Sequence, residues 1–296
     1  MRIFCLIAAI TIVTACSQER QAATDKGTDP VASDEITTTL AVAGGTIRGR
    51  AREDGLKEYL GIPYAAPPVA ELRWQPPQPV PGWDGEYDAT QKGLPCMQPS
   101  SLSAFYDRTY TEMSEDCLTL NIWTRAERAS EKLPVMVWIH GGALLIGSGA
   151  DYDGAALTAK GVVLITINYR LGPFGFFAHP GLSSESATGS SGNQGFRDQI
   201  AALQWVRANV VAFGGDPENV TIFGESAGSW SMSVMQASPL SRGLFHKVIG
   251  QSGARFIPLP KLKTATRRYD SAENHGLRLA ELFAGDQKNN LTDLRA

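Results

Sequence analysis

Gly224-Glu225-Ser226-Ala227-Gly228 sets a serine between two glycines, each two residues away. The apolar run before it, Val220 to Phe223, reads as a buried strand, and residues 226–237 read as a helix. A strand-to-helix turn this sharp leaves no room for a side chain two residues before or after the serine, a demand that glycine at 224 and 228 meets. The Ser226 hydroxyl would then stand exposed at the C-terminal edge of a sheet. The backbone N–H of Ala227 would point to where an oxyanion forms. The chemistry this suits is nucleophilic attack on a carbonyl carbon through an acyl-enzyme. Glu225, next to the nucleophile, is a candidate for biasing the field around the site; the plainer reading is a buried structural carboxylate.

A second constellation lies upstream. Leu133 to Ile139 is a continuous apolar run, and His140-Gly141-Gly142-Ala143 follows it directly. Glycines at a strand end let the backbone turn its N–H groups toward a neighbouring site. Gly141 and Gly142, together with Ala227, are therefore the candidate oxyanion donors, each worth about 3 kcal/mol in a transition state. His140 precedes the nucleophile, so it reads as a residue that shapes this loop and not as a base.

The elements that must position these residues follow an α/β pattern. Leu133–Ile139 and Gly161–Tyr169 are apolar and rich in β-branched residues, as strands buried on both faces are. Between Gly195 and Phe213 the apolar positions Phe196, Ile200, Leu203, Val206, Val210 and Phe213 step by three or four, which predicts an amphipathic helix ended by Gly214-Gly215-Asp216-Pro217. Lys247–Gln251 predicts one more strand, and Tyr269–Phe283 a further helix. Alternating strands and helices predict a doubly wound, mostly parallel α/β sheet.

Of the 296 residues, 43% are hydrophobic and 19% charged, with net charge −3, so one large core is expected and nucleic acid is not. Ile3 to Val13 is apolar but too short to span a bilayer and reads as the core of a signal peptide. It leads into Val13-Thr14-Ala15-Cys16, which resembles a bacterial lipobox. Residues 1–15 are thus expected to be removed and Cys16 acylated, anchoring the protein to the bacterial cell envelope, with Ser17 favouring the outer membrane. Residues 16–38 lack hydrophobic periodicity and read as a flexible tether. Cys96 and Cys117 then remain as an even pair in an exported chain, which reads as a disulfide closing a loop worth on the order of 3 kcal/mol. Two cysteines without a nearby histidine do not make a zinc site.

These residues resemble the type B carboxylesterase/lipase family, which includes the cholinesterases. Glu115-Asp116-Cys117-Leu118-Thr119-Leu120-Asn121-Ile122-Trp123 matches a family signature beside the serine elbow. Gly61-Ile62-Pro63-Tyr64-Ala65, Glu71-Leu72-Arg73-Trp74 and Asn168-Tyr169-Arg170-Leu171-Gly172-Pro173 match further landmarks, and the likeness runs over residues 39–296. The resemblance implies an α/β-hydrolase fold acting on a small-molecule carboxylic ester, with no metal or organic cofactor. It also implies the Cys96–Cys117 pairing and ion pairs Arg73–Glu115 and Arg170–Asp198. Ala143 stands where the family often has a third glycine, a change expected to alter loop shape.

In that family the acid and the histidine follow the serine by more than a hundred residues, and 70 follow Ser226 here. His246 and His275 lie beyond the serine, but neither has a strand-end loop with a carboxylate ahead of it. The expectation is therefore an N-terminal half, an α/β-hydrolase domain incomplete at its C-terminus and poorly active by itself. A non-catalytic binding protein and a functionless truncated product are the alternatives. The ester and the oligomeric state are not legible in the sequence.

Overall fold

The structure, a computed structural model, describes residues 34–105, 109–254 and 260–295. The expected signal segment, Cys16 and most of the expected tether lie outside the described residues. Residues 34–38, assigned above to the tether, are packed: Ile36 is buried, its N–H donates to Glu127 O at 2.7 Å, and the Tyr59 hydroxyl donates to Thr37 O. An isoleucine with a buried site to fill docks the chain earlier than its polar neighbours suggest.

The strands in chain order are β1 (Thr39–Val42), β2 (Gly45–Arg48), β3 (Arg50–Ala51), β4 (Lys57–Pro63), β5 (Glu86–Asp88), β6 (Thr119–Thr124), β7 (Leu133–Ile139), β8 (Val163–Ile167), β9 (Gly215–Glu225) and β10 (Lys247–Gln251). The α-helices are α1 (Ser100–Phe105), α2 (Ala155–Thr158), α3 (Gly172–Phe176), α4 (Pro180–Glu185), α5 (Gln194–Asn209), α6 (Ala227–Ala237), α7 (Ala272–Ala284) and α8 (Leu291–Arg295). Strands β1, β2 and β5 form a small sheet, and a seven-stranded sheet runs in the order β10-β9-β7-β8-β6-β4-β3. Its pairs β10/β9, β9/β7 and β7/β8 are parallel; β8/β6, β6/β4 and β4/β3 are antiparallel. The sheet is mixed, and the parallel strands are those that carry the candidate site.

The central strands are apolar for a plain reason. Val135, Val137, Ile139, Val163, Ile165, Ile167, Val220 and Ile222 are all fully buried. Each such side chain contributes about 2 kcal/mol by leaving water. Helix α5 covers one face with Phe196, Ile200, Leu203 and Val206, and α6 adds Met232 and Met235. The expected helix over 195–213 is α5 followed by a tighter turn at Val210–Phe213. It stops at Gly214, whose φ of 77° and N–H bond to Val210 O close the end.

Several expected boundaries move. Strand β9 starts at Gly215, five residues before Val220, because Gly215 pairs with Leu133; the register then shifts before Val220 pairs with Val135. Strand β8 ends at Ile167, because Asn168 turns away to donate its N–H to Thr119 O at 3.0 Å. Helix α7 starts behind Ser271, whose hydroxyl accepts from Asn274 N–H at 3.2 Å.

Candidate active site

Parallel strands with helices following them bring their C-terminal ends to one edge of the sheet, and β7 and β9 are neighbours. The elbow closes β9. A Cβ on Gly228 would sit 2.0 Å from Ile139 O, and one on Gly224 would sit 2.6 Å from the same oxygen. Both glycines are therefore required by the backbone of β7, as well as by the turn itself. Ser226 takes φ 54° and ψ −118°, outside the comfortable regions for a residue with a Cβ and a cost of about 1–3 kcal/mol. Its N–H donates to Gln251 O at 2.9 Å, and Trp230 N–H donates to Ser226 O at 2.9 Å. The strand on one side and the first turn of α6 on the other hold that conformation.

The loop after β7 runs alongside. A Cβ on Gly141 would lie 3.2 Å from Ser226 Cβ and 2.8 Å from Glu225 O. Ala227 is the first residue of α6, where N–H groups have no acceptor within the helix. Among the described residues no acceptor engages the N–H of Gly141 or Gly142. The loop after β7 and the start of α6 thus lie side by side, with Gly141 against Ser226. Ala143 and Leu144 follow with φ of 57° and 62°, the left-handed region that glycine occupies without strain. Glu225 is exposed, and its Oε2 lies beside Gly141.

His140 is buried under this loop. Its ring stacks on Tyr169 at 4.4 Å between centroids, and the Tyr169 hydroxyl donates to His140 O at 2.8 Å. His140 Nδ1 lies 2.8 Å from Gly141 O, which requires the proton on Nδ1. His246 lies against the middle of β9, away from the elbow: its Nδ1 accepts from Val220 N–H at 3.2 Å. Val220 and Ser226 are six residue steps apart along the strand and elbow, roughly 20 Å. His275 accepts at Nδ1 from Arg278 at 2.9 Å. Among the described residues no histidine hydrogen-bonds Ser226.

A cavity of about 640 Å³ opens beside the loop, lined among others by Ala143, Leu144, Phe176, Phe196, Trp230 and His275. Trp230, one turn beyond the serine, both packs on the core and lines this cavity. Cys96 and Cys117 are joined through their sulfurs. Arg170 and Asp198 form a buried two-point pair at 2.8 and 2.7 Å, and Arg73 and Glu115 a half-buried one at 2.7 and 2.6 Å. Among the described residues no group of three His, Cys, Asp or Glu is placed to hold a metal ion.

A model of the Carboxylesterase family matches residues 33–282. The chain belongs to the carboxylesterase family. It is 49% identical over 216 residues to the para-nitrobenzyl esterase of Bacillus subtilis (strain 168), covering 71% of this chain and 42% of that protein. It is 43% identical over 242 residues to the cocaine esterase of Homo sapiens, covering 79% and 42%. The structure of a thermophilic pNB esterase superposes with a TM-score of 0.74 at 42% identity, covering 87% of this chain and 51% of that one. A carboxylesterase of Geobacillus stearothermophilus gives 0.66 at 47% identity, covering 74% and 44%. These are proteins of the α/β-hydrolase fold, and this carboxylesterase-family chain shares that fold. It spans about two fifths of the length of the curated relatives it matches.

Sequence reasoning missed the polar groups that support the loop after β7. Gln98, Ser148 and Asn168 are buried and hydrogen-bonded around it. No local pattern marks them, because their partners are distant in the chain.

Proposed function

We propose that this chain supplies the nucleophile and the oxyanion donors of a carboxylic ester hydrolase. The observation that carries the reading is the close approach of the Gly141 backbone to Ser226, across an elbow whose glycines are sterically obligatory; Gly142 and Ala227 are the neighbouring donors in the same two segments. Ser226 Oγ attacks the ester carbonyl carbon and its proton passes to a base. The carbonyl oxygen, now negative, accepts from the N–H groups of Gly141, Gly142 and Ala227. Collapse breaks the bond to the alkoxy oxygen, the alcohol leaves with the proton, and the acyl group stays on Ser226. Water then repeats the attack and releases the acid.

The substrate class, a small-molecule carboxylic ester, rests on family membership and on the apolar lining of the neighbouring cavity. Because no described histidine reaches Ser226, the same reading holds turnover by this chain alone to a low rate. The test is intact-mass labelling with a fluorophosphonate, alongside p-nitrophenyl acetate hydrolysis. One adduct on Ser226, lost in Ser226→Ala, is the expected result. Folded protein that takes up no adduct would remove the reading, and rapid hydrolysis would remove the low-turnover part of it.

The reading also places the protein on the bacterial envelope through acylated Cys16. Its support is the apolar segment that ends at Val13-Thr14-Ala15-Cys16. Incorporation of an alkynyl fatty acid, lost in Cys16→Ala, is the expected outcome; equal incorporation in both would refute it.

A further inference from the structure

The loop that carries the oxyanion donors is short of regular structure, so something else must hold its shape. Within the loop, Leu145 and Ile146 donate their N–H groups to Gly142 O at 2.9 and 3.0 Å. The turn then folds back on its own start. Gly147 has φ 110°, and a Cβ there would come 2.5 Å from His140 Nδ1. His140 Nδ1 in turn bonds Gly141 O. Residues 140–147 thus form a closed ring in which the placement of Gly147 sets that of Gly141.

Among the described residues one side chain bonds both the N–H and the carbonyl of Gly147. Gly147 N–H donates to Gln98 Oε1 at 2.8 Å, and Gln98 Nε2 donates to Gly147 O at 3.0 Å. The same Nε2 donates to Cys96 O at 3.0 Å. Cys96 is tied covalently to Cys117, which precedes β6 by two residues. Gln98 is buried, so these bonds form away from competing water. Just beyond, Asn168 Oδ1 accepts from Gly149 N–H at 2.8 Å and from the Ser148 hydroxyl at 3.0 Å, fixing the exit of the loop.

We propose that Gln98 is a positioning residue: its two-way amide clamp on Gly147, anchored to the Cys96–Cys117 disulfide, holds Gly141 and Gly142 in register with Ser226. The proposal rests on the esterase reading for its catalytic meaning, while its structural content stands apart from it. The amide is needed because Gly147 offers one donor and one acceptor. A carboxylate can accept from Gly147 N–H but repels Gly147 O and Cys96 O. A protonated carboxyl can again do both.

The experiment compares the full chain with Gln98→Leu and Gln98→Glu by hydrogen exchange and by the rate of fluorophosphonate labelling. In Gln98→Leu, amides of residues 141–147 should exchange at least about tenfold faster while those of β7 and β9 keep their rates. Labelling should slow by about tenfold or more, as a displaced donor implies. Gln98→Glu should match the leucine variant at pH 7.5. It should recover toward the wild-type value, measured at the same pH, near and below pH 5 as its carboxyl protonates. A side chain that merely fills space would not show that recovery. Unchanged exchange in 141–147 would overturn the proposal, as would exchange raised equally throughout the sheet. Labelling at the wild-type rate in a loosened loop would overturn it too. A wild-type chain that never labels would defeat the esterase reading alone, and the exchange comparison would still decide the clamp.

Discussion

The two ends of the seven-stranded sheet are finished in opposite ways. At one end β3 is two residues long, and Glu58 on β4 is buried, yet accepts from Arg50 at 2.5 Å, Arg52 at 2.6 Å and the Trp123 indole at 3.1 Å. A buried carboxylate is tolerable only with such a set of donors, and a short charged edge resists adding further strands. At the other end β10 is mostly exposed; Ile249 retains 45% of its accessible surface, and the far side of the strand has no partner among the described residues. The candidate site lies near this open end, yet its decisive contacts are between β7 and the turn after β9. The contrast shows that the site is remote from the charged end of the sheet and is secured by its immediate neighbours, among them Gln251 of the exposed β10, whose carbonyl accepts the Ser226 N–H.

The contact of Gly228 with β7 carries the largest expected effect. Gly228→Ala places a Cβ against Ile139 O and should slow labelling of Ser226 by about 100-fold, read from an intact-mass time course. A near-normal rate would show that the elbow tolerates what the packing forbids. At the sealed end, Glu58→Gln should cost about 2–3 kcal/mol by urea denaturation, because two arginines lose their charge partner. The labelling rate of that variant should stay within about twofold of wild type if the site is insulated from this end.

A pH-dependent joint sits in the helical cover. His179 accepts at Nδ1 from Gly181 N–H and donates from Nε2 to Lys288 O at 2.9 Å. Burial pushes its pKa down, so the folded state favours the neutral ring. Its contribution is present above the ordinary histidine value of about 6.5 and is lost as pH falls below it. The urea midpoint should therefore decline from pH 7 to pH 5.5, and more steeply than in His179→Gln. Parallel slopes would remove His179 as the cause. At the open end, Ile249→Lys should change stability by less than about 0.5 kcal/mol and reduce self-association seen by light scattering. A large loss of stability would mean that β10 is covered after all.

Much of the site was legible because its rules are local. Gly224, Ser226 and Gly228 follow from the sterics of one turn, and β7 and β10 occupy the spans that their apolar runs predict. The helices near 195–213 and 226–237 were legible for the same reason, since side-chain periodicity is a property of neighbouring residues. The start of β9 was not, because Asp216 to Asn219 carry no strand pattern and Gly215 joins the strand only through its pairing with Leu133. Nor was the docking of Ile36, which depends on a site built by distant residues.

The sequence by itself determined the elbow, the glycine pair behind β7, the two cysteines and the alternation that builds the sheet. These rest on backbone sterics and hydrophobic period, which act over a few residues. It took the tertiary structure to bring Gln98 to Gly147 across 49 residues, to gather Arg50, Arg52 and Trp123 on Glu58, and to set His246 against the middle of β9, away from Ser226. Those outcomes depend on strand order and register, which set distant polar groups face to face only after the core has closed.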